Sequence, residues 1–512
     1  MDIVLINPPL SQEERYGVKF KAGGQTAPIG LAILAAVCRE AGFRTAIIDA
    51  AGQGLGLAET VEKVLALRPK YVGLTAATIS VFNARDVALE LRKANPAIRI
   101  LLGGAHITAA LSETVQRMGP FFDVAVLGEG EVTIVDLLRA LASGRPLSEV
   151  RGIAYRSDAR CREFTLTAPR ELIEDLDSIP FPAWDLLPDL GKSYCPPAHT
   201  VKRFPASLIM TSRGCPGKCT FCDNKVFGRR LRAHSTDYVI RLIRHLQEQY
   251  GIREFQIRDD NFLAFKQRAV ELCQRLINEK IDVAWSCAGR VDMIAPDMLR
   301  LMKKAGCWQI WYGIESGSDR ILGVIKKNTT CERIEYAVRS TKRAGISPCG
   351  FFMIGLPTET EDDMKATIDL LLRLPLDDFH IMHTVPLPGC ELYRTAHEFG
   401  DFDNDWKQMC GWTVSFLPHG LSPEKLVYYS NTALKRFYFR PRIIWSYLKR
   451  IRSVRHAQVY ASALMAFLAY VSKNKRCSAG IADVGVRPEA GGGSPGQLRT
   501  FFAERTPRRR AA

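Results

Sequence analysis

The sequence predicts an α/β protein with two parallel-sheet units in tandem. The first is a doubly wound five-stranded sheet and the second an open, partial (β/α)6 barrel, followed by a helical C-terminal region. Three observations carry this. Residues 1–142 hold five short apolar runs separated by amphipathic stretches, residues 206–390 repeat a strand–helix alternation six times, and a Pro-rich, non-periodic segment lies between them.

In the first unit the strands are expected at Ile3–Ile6, Thr45–Ile48, Tyr71–Leu74, Ile98–Leu102 and Val124–Leu127, with helices such as Ile29–Glu40 and Val81–Lys93 between them. Doubly wound sheets bind ligands beyond the carboxyl ends of their strands. Those ends carry Asn7-Pro8-Pro9, Thr75-Ala76-Ala77, Gly103-Gly104-Ala105-His106 and Gly128-Glu129-Gly130-Glu131. Small residues at four strand ends favour close approach of a ligand to the backbone. A hairpin pattern (Gly152–Tyr155, Glu163–Leu166) and the extended run Ile179-Pro180-Phe181-Pro182-Ala183-Trp184 then read as a connector. In the second unit strands are expected at Ser207–Thr211, Glu254–Arg258, Val283–Cys287, Gln309–Ile314, Pro348–Ile354 and Phe379–Val385. Six βα units are too few for a closed eight-fold barrel, and chemistry belongs at the strands' C-terminal ends. The domain boundaries that follow are 1–145, a linker at 146–205, 206–390, a helical region at 391–475 and a basic tail at 476–512, whose Gly, Pro and Arg content predicts disorder.

The 512 residues are 47% hydrophobic and 24% charged, which excludes global disorder and collagen-like repeats. The net charge of +16 is unevenly placed: residues 436–512 hold 16 basic and 3 acidic side chains, leaving residues 1–435 at only +3. The interleaved segment from Arg436 to Arg452 reads either as a solvated cap on the core or as a helix suited to peripheral contact with an anionic membrane surface. The longest near-apolar run, Val459 to Val471, is too short to span a bilayer. The N-terminus, MDIVLINPPL, reads as strand and turn and lacks the basic start of a secretory signal, so a cytoplasmic protein is expected.

Fourteen cysteines in such a chain point to metal or redox chemistry. The tight group is Cys215-Pro-Gly-Lys-Cys219-Thr-Phe-Cys222, spaced C-x3-C-x2-C directly after a strand. A closed zinc site needs a fourth ligand, and neither His199 nor His234 has standard zinc spacing. A 4Fe–4S cluster held by three cysteines leaves one iron open to a small chelating ligand.

Ser212-Arg213-Gly214-Cys215, the triad spacing and Phe221 before its last cysteine resemble the radical S-adenosylmethionine (SAM) enzymes over residues 206–390. The resemblance implies cluster ligation by Cys215, Cys219 and Cys222, and SAM contacts from Phe221, Asp259, Asp260, Arg290, Glu315, Ser316 and Gly355. Arg290 would offer a fork of donors to the methionine carboxylate, and Glu315 would accept from the ribose or the ammonium. With the α/β unit in front, the chain resembles the cobalamin-binding branch of that family. This implies a cobalamin site at Asn7, Thr75, Ser80, Gly103, Gly104, His106, Gly128 and Glu129. No D-x-H-x-x-G follows the first strand, and His106 fits a loop hydrogen-bond partner better than a cobalt ligand. The implied activity is methylation of an unactivated carbon in a hydrophobic or natural-product-like small molecule. The implied chemistry combines a 5′-deoxyadenosyl radical with methylcobalamin, and flavodoxin or ferredoxin would be the electron donor. An oxidative cyclase of the anaerobic magnesium-protoporphyrin monomethyl ester type is the alternative. An RNA-modifying enzyme is a third reading, disfavoured because residues 1–150 contain one cysteine, Cys38, and no second triad. Trp308, Trp311, Trp406 and Trp412 are candidates for a substrate pocket or for core packing.

Overall fold

A computed structural model describes residues 1–16, 24–157, 163–194, 196–197 and 200–449, with 451, 461 and 465. Cys161, His199, Cys477 and the predicted disordered tail therefore lie outside the described residues.

The N-terminal strands are β1 Ile3–Asn7, β2 Thr45–Asp49, β3 Tyr71–Thr75, β4 Arg99–Gly103 and β5 Val124–Val126. They run parallel in the order β2-β1-β3-β4-β5. Their residues are apolar in unbroken runs because helices cover both faces. The order reverses between β1 and β3, which opens a crevice at their carboxyl ends. The hairpin β6 Ile153–Tyr155 and β7 Thr165–Leu166, expected within the linker, instead extends this sheet antiparallel beyond β5. The edge of β5 would otherwise expose unpaired backbone groups.

The Pro-rich connector is extended, as expected, but it is also buried. Trp184 is 1% exposed, Ala183 N donates to Ala32 O, and Phe181 packs edge-on against Tyr238 at 5.1 Å. It fills the seam between helix Ile29–Glu40 of the first unit and helix Thr236–Tyr250 of the second. The latter helix shows why these segments are helical. Ser235 caps its N-terminus by accepting from Tyr238 N, Gly251 ends it in the left-handed region, and Val239, Leu242, Ile243 and Leu246 form one buried stripe. Each of those side chains contributes roughly 1.5–3 kcal/mol of burial.

The second sheet begins with β8 Ala206–Ile209. A two-residue ribbon, β9 Ser212–Arg213 with β10 Arg232–Ala233, follows. Then come β11 Glu254–Ile257, β12 Ala284–Gly289, β13 Cys307–Glu315, β14 Ser347–Ile354 and β15 Asp378–His383. β8 and β11–β15 are all parallel and in sequential order, the open six-stranded half-barrel expected. The C-terminal region is not purely helical. It adds an antiparallel pair, β16 Gly400–Phe402 with β17 Phe416–Pro418, before helices Pro423–Tyr438 and Pro441–Leu448. Phe437 and Ile443 are buried, so the start of the basic segment caps the barrel. No described helix is long and apolar enough to cross a membrane.

Candidate active site

The cysteine triad lies on the loop between β9 and β10, just past the C-terminal end of β8. The ribbon closes this loop tightly. Gly214 has φ +87°, and a Cβ there would meet Arg230 O at 2.1 Å, so only glycine fits before Cys215. A Cβ on Gly217 would lie 3.4 Å from Cys215 Sγ and 3.9 Å from Cys219 Sγ, so the glycine lets two thiols face one space. Cys222 is the exposed member of the three. Among the described residues, no three His, Cys, Asp or Glu side chains converge on a single ion. His234 is committed elsewhere: its Nδ1 lies 3.2 Å from Asp177 and its ring stacks on Tyr238 at 3.9 Å. Burial holds it down at about pH 4. Three thiols on one loop, with His234 committed to Asp177 and Tyr238, match the ligand number of a 4Fe–4S cluster with one open iron.

The acids after β11 brace this loop. Asp259 accepts from Thr211 N, Thr211 Oγ1 and Ser212 Oγ, each at 2.6 Å, with Arg268 alongside. With its side chain buried and so engaged, Asp259 holds the polypeptide beneath the cysteine loop. Asp260 accepts from Gly214 N at 3.0 Å and remains exposed. The fork of Arg290 is also largely taken. Nε and Nη2 donate to Asp292 at 3.0 and 3.1 Å, and Nη2 donates to Lys327 O, leaving Nη1 3.9 Å from Cys219 Sγ. Ser316, fully buried, pairs with Thr367 Oγ1 and accepts from Ser318 N.

Glu315 ends β13 with φ +66°, an uncommon conformation for a side chain of its size. Its Oε1 accepts from Lys327 Nζ at 2.7 Å, with both side chains buried. A Cβ on Gly313 would strike both groups, at 2.5 and 2.6 Å. Lys327 lies 5.9 Å from the Phe221 ring. Sequence reasoning missed Lys327, because Lys326-Lys327 reads as an ordinary surface pair. Gly355 N donates to Glu359 at the end of β14, and Leu426 lies where its side chain would be.

On the first sheet, Asn7, Thr75, Gly103 and Gly128 all lie at the carboxyl rim and are half-buried. A Cβ on Gly128 meets nothing within 4 Å, so the space above that strand end is open. Gly104 packs directly on Ala76 O and Thr75 Oγ1. Asn7 Nδ2 is tied to Asp49, and Ser80 Oγ accepts from Ala77 N. His106 does not present a nitrogen to the rim. It is 1% exposed, its two ring nitrogens lie 3.1 and 3.0 Å from Thr78 and Thr114 hydroxyls, and its edge meets Trp406. Burial pushes it down to about pH 4. Cobalt ligation by His106 is therefore not supported by its surroundings, whereas the hydrogen-bonding role is. Trp406 is core.

Glu129 is engaged across the two units. With Glu131 it latches the two units: Arg213 donates to Glu129 at 2.8 Å and to Glu131 at 2.5 Å, and Arg232 donates to Glu129 at 2.8 Å. All four are buried. The two rims meet at Gly389, where a Cβ would lie 2.5 Å from Asp223, beside Cys222, and 3.0 Å from Ala109 Cβ, on the helix after Gly103-Gly104.

Comparison with known proteins fits this geometry. The radical SAM superfamily matches residues 209–371, and the B12 binding domain matches residues 17–138. An uncharacterized methyltransferase of Pyrococcus horikoshii is 33% identical over 452 residues, covering 87% of this chain and 94% of that protein. The anaerobic magnesium-protoporphyrin IX monomethyl ester cyclase of Rubrivivax gelatinosus is 29% identical, covering 74% of this chain and 67% of its own length. The radical SAM methyltransferase TsrM from Kitasatospora setae, solved with cobalamin and a 4Fe–4S cluster, shares the fold. Its TM-score is 0.62 at 18% identity, covering 78% of this chain and 75% of that one. With both domain families matched and a relative alike over nearly its whole length, the chain belongs to the cobalamin-binding radical SAM family, in the branch that includes methyltransferases.

Proposed function

We propose that the protein methylates an unactivated carbon of a hydrophobic or natural-product-like small molecule. The observation that carries this is the juncture at Gly389, which brings the cysteine loop and the rim of the first sheet together. Methyl transfer to a radical carbon requires both cofactors within reach of one substrate. When bound, the cluster and SAM supply a 5′-deoxyadenosyl radical and cobalamin supplies the methyl group. Cys215, Cys219 and Cys222 would hold the cluster. Phe221, Asp260, Glu315 and Gly355, with Lys327, would border SAM, and Asn7, Thr75, Gly103, Gly104 and Gly128 would border cobalamin. Arg290, placed against Cys219, offers positive charge beside the cluster.

Lys218, Lys225 and Arg229 stand exposed on the cysteine loop. Such a surface suits an acidic electron carrier such as flavodoxin or ferredoxin. Phe439, Ile444, Trp445 and Leu448 are exposed beside Arg440, Arg442 and Lys449, and this strip supports peripheral membrane contact.

Anaerobic reconstitution with iron, sulfide and cobalamin, followed by turnover with candidate substrates, tests the reading. S-adenosylhomocysteine is expected together with 5′-deoxyadenosine, and 5′-deoxyadenosine alone would overturn methyl transfer. Oxygen from labelled water in the product would favour the cyclase reaction. Cys219→Ala is expected to lose the cluster's visible absorption and keep cobalamin.

A further inference from the structure

We infer that the inner face of the half-barrel seats the substrate, with Arg258 taking an oxyanion group of that molecule and Trp311, Phe351 and His380 taking its flat or apolar body. The identification of this molecule as the methyl acceptor rests on the proposed function, but the binding does not.

The face is defined by alternation along the strands. Phe255, Ile257, Ile310, Phe352 and Ile354 point outward and join the core shared with the helices. Gln256, Ser286 and Gln309 form one row of the opposite face by register. In the next row Ala288 pairs with Trp311, and Arg258, one residue past the Ile257–Cys287 pair, stands beside Ala288. Phe351 pairs with His380 further along. Trp311 stacks on Phe351 at 4.9 Å and 28°, and meets His380 at 4.9 Å edge-on. Phe351, His380 and Ala288 are only half-buried, whereas Trp311 is 7% exposed and anchored by its Nε1, which donates to Gln309 Oε1 at 2.8 Å. Two half-buried rings backed by a buried, anchored indole suit a ring system or an alkyl chain.

Arg258 differs from its cationic neighbours. Arg290 is paired with Asp292 and Lys327 with Glu315. Arg258 donates only to the neutral amide of Gln256, at 2.9 Å, and has no carboxylate partner among the described residues. Gln256 is itself 2% exposed and anchored on Thr200 through O at 2.7 Å and Oγ1 at 2.9 Å, so the guanidinium is held from a rigid base. The residue is exposed, yet the protein around the guanidinium depresses its pKa. Two strand spacings, about 10 Å, separate the Arg258 and Trp311 backbones. Ala288 is the residue of the intervening strand on that row. A planar guanidinium at that position matches a carboxylate or phosphate.

Calorimetry on the reconstituted full chain with SAM present tests this, using 2-naphthoate, 2-naphthyl phosphate and the neutral 2-naphthamide as probes. The wild type is expected to bind one or both anions about tenfold more tightly than the amide, and the two anions tell carboxylate from phosphate recognition. Arg258→Met is expected to abolish that preference, and Trp311→Leu to weaken all three probes by a similar factor. Should Arg258→Met fail to fold, Arg258→Gln is expected to lose the preference equally. Equal binding of anion and amide by the wild type would overturn the inference. So would an anion preference that survives in the Arg258 variants, or one that SAM abolishes by occupying the guanidinium. Because binding is read without turnover, failure to form S-adenosylhomocysteine would sink the methyl-transfer reading alone.

Discussion

Glu359 shows how a single carboxyl can set a pH response. It is 2% exposed; one oxygen accepts from Gly355 N and Leu356 N, and the other has no partner. Burial raises it from 4.5 to about 8. Within that window the folded chain retains a proton that the unfolded chain has released, so stability falls as pH rises. Glu359→Gln is neutral throughout, and is expected to flatten the dependence of the thermal midpoint on pH from about 5 to 8. An unchanged slope would assign the response to another group. At this scale the sequence was informative about residue type and poor about engagement. The thiol spacing is local and legible. That Asp259, Arg290 and Ser316 spend their hydrogen bonds on the protein depends on Thr211, Asp292 and Thr367. Spacing along the chain gives no view of the two of these partners that lie tens of residues away.

At the scale of elements, the connection between the G-E-G-E turn and the S-R-G-C strand dominates. Arg213 sits 2% exposed between two carboxylates from the other unit. Removing one member of a buried charge network leaves its partners uncompensated, typically at about 3–5 kcal/mol. Arg213→Met is therefore expected to lower the urea midpoint strongly, and to do so less in a Glu131→Gln background, where one orphaned charge is gone. Equal losses in both backgrounds would argue that the two groups do not interact. Both motifs were visible in the sequence. Their pairing was not, because 82 residues separate Arg213 from Glu131. The hairpin β6–β7 is likewise legible in the sequence as a hairpin and not as part of the first sheet, since alternation reveals a strand and not the sheet edge it joins.

At the scale of the whole molecule, the charge distribution and the basic segment belong together. The body is close to neutral and the last 77 residues carry +13. Helix Pro441–Leu448 is docked by Ile443 and by Tyr447, whose hydroxyl reaches Asp378 at 2.9 Å, while Trp445 and Leu448 face outward. A truncation at residue 436 would thus strip Phe437 and Tyr438 from the barrel. Point changes are the cleaner test: Trp445→Glu with Leu448→Glu is expected to reduce co-sedimentation with anionic vesicles several-fold, and no change would leave the helix a cap alone. The sequence by itself determined the two sheets, their order, the thiol triad and the placement of the charge. These follow from local periodicity, turn chemistry and composition. Only the tertiary structure decided which polar side chains are engaged within the protein, that Glu129 is held by Arg213 and Arg232 and His106 by two hydroxyls, that Lys327 pairs with Glu315, and that the two rims meet at Gly389. Those outcomes depend on which groups satisfy one another's buried hydrogen bonds and charges across distant segments, and that is settled when the units close on each other.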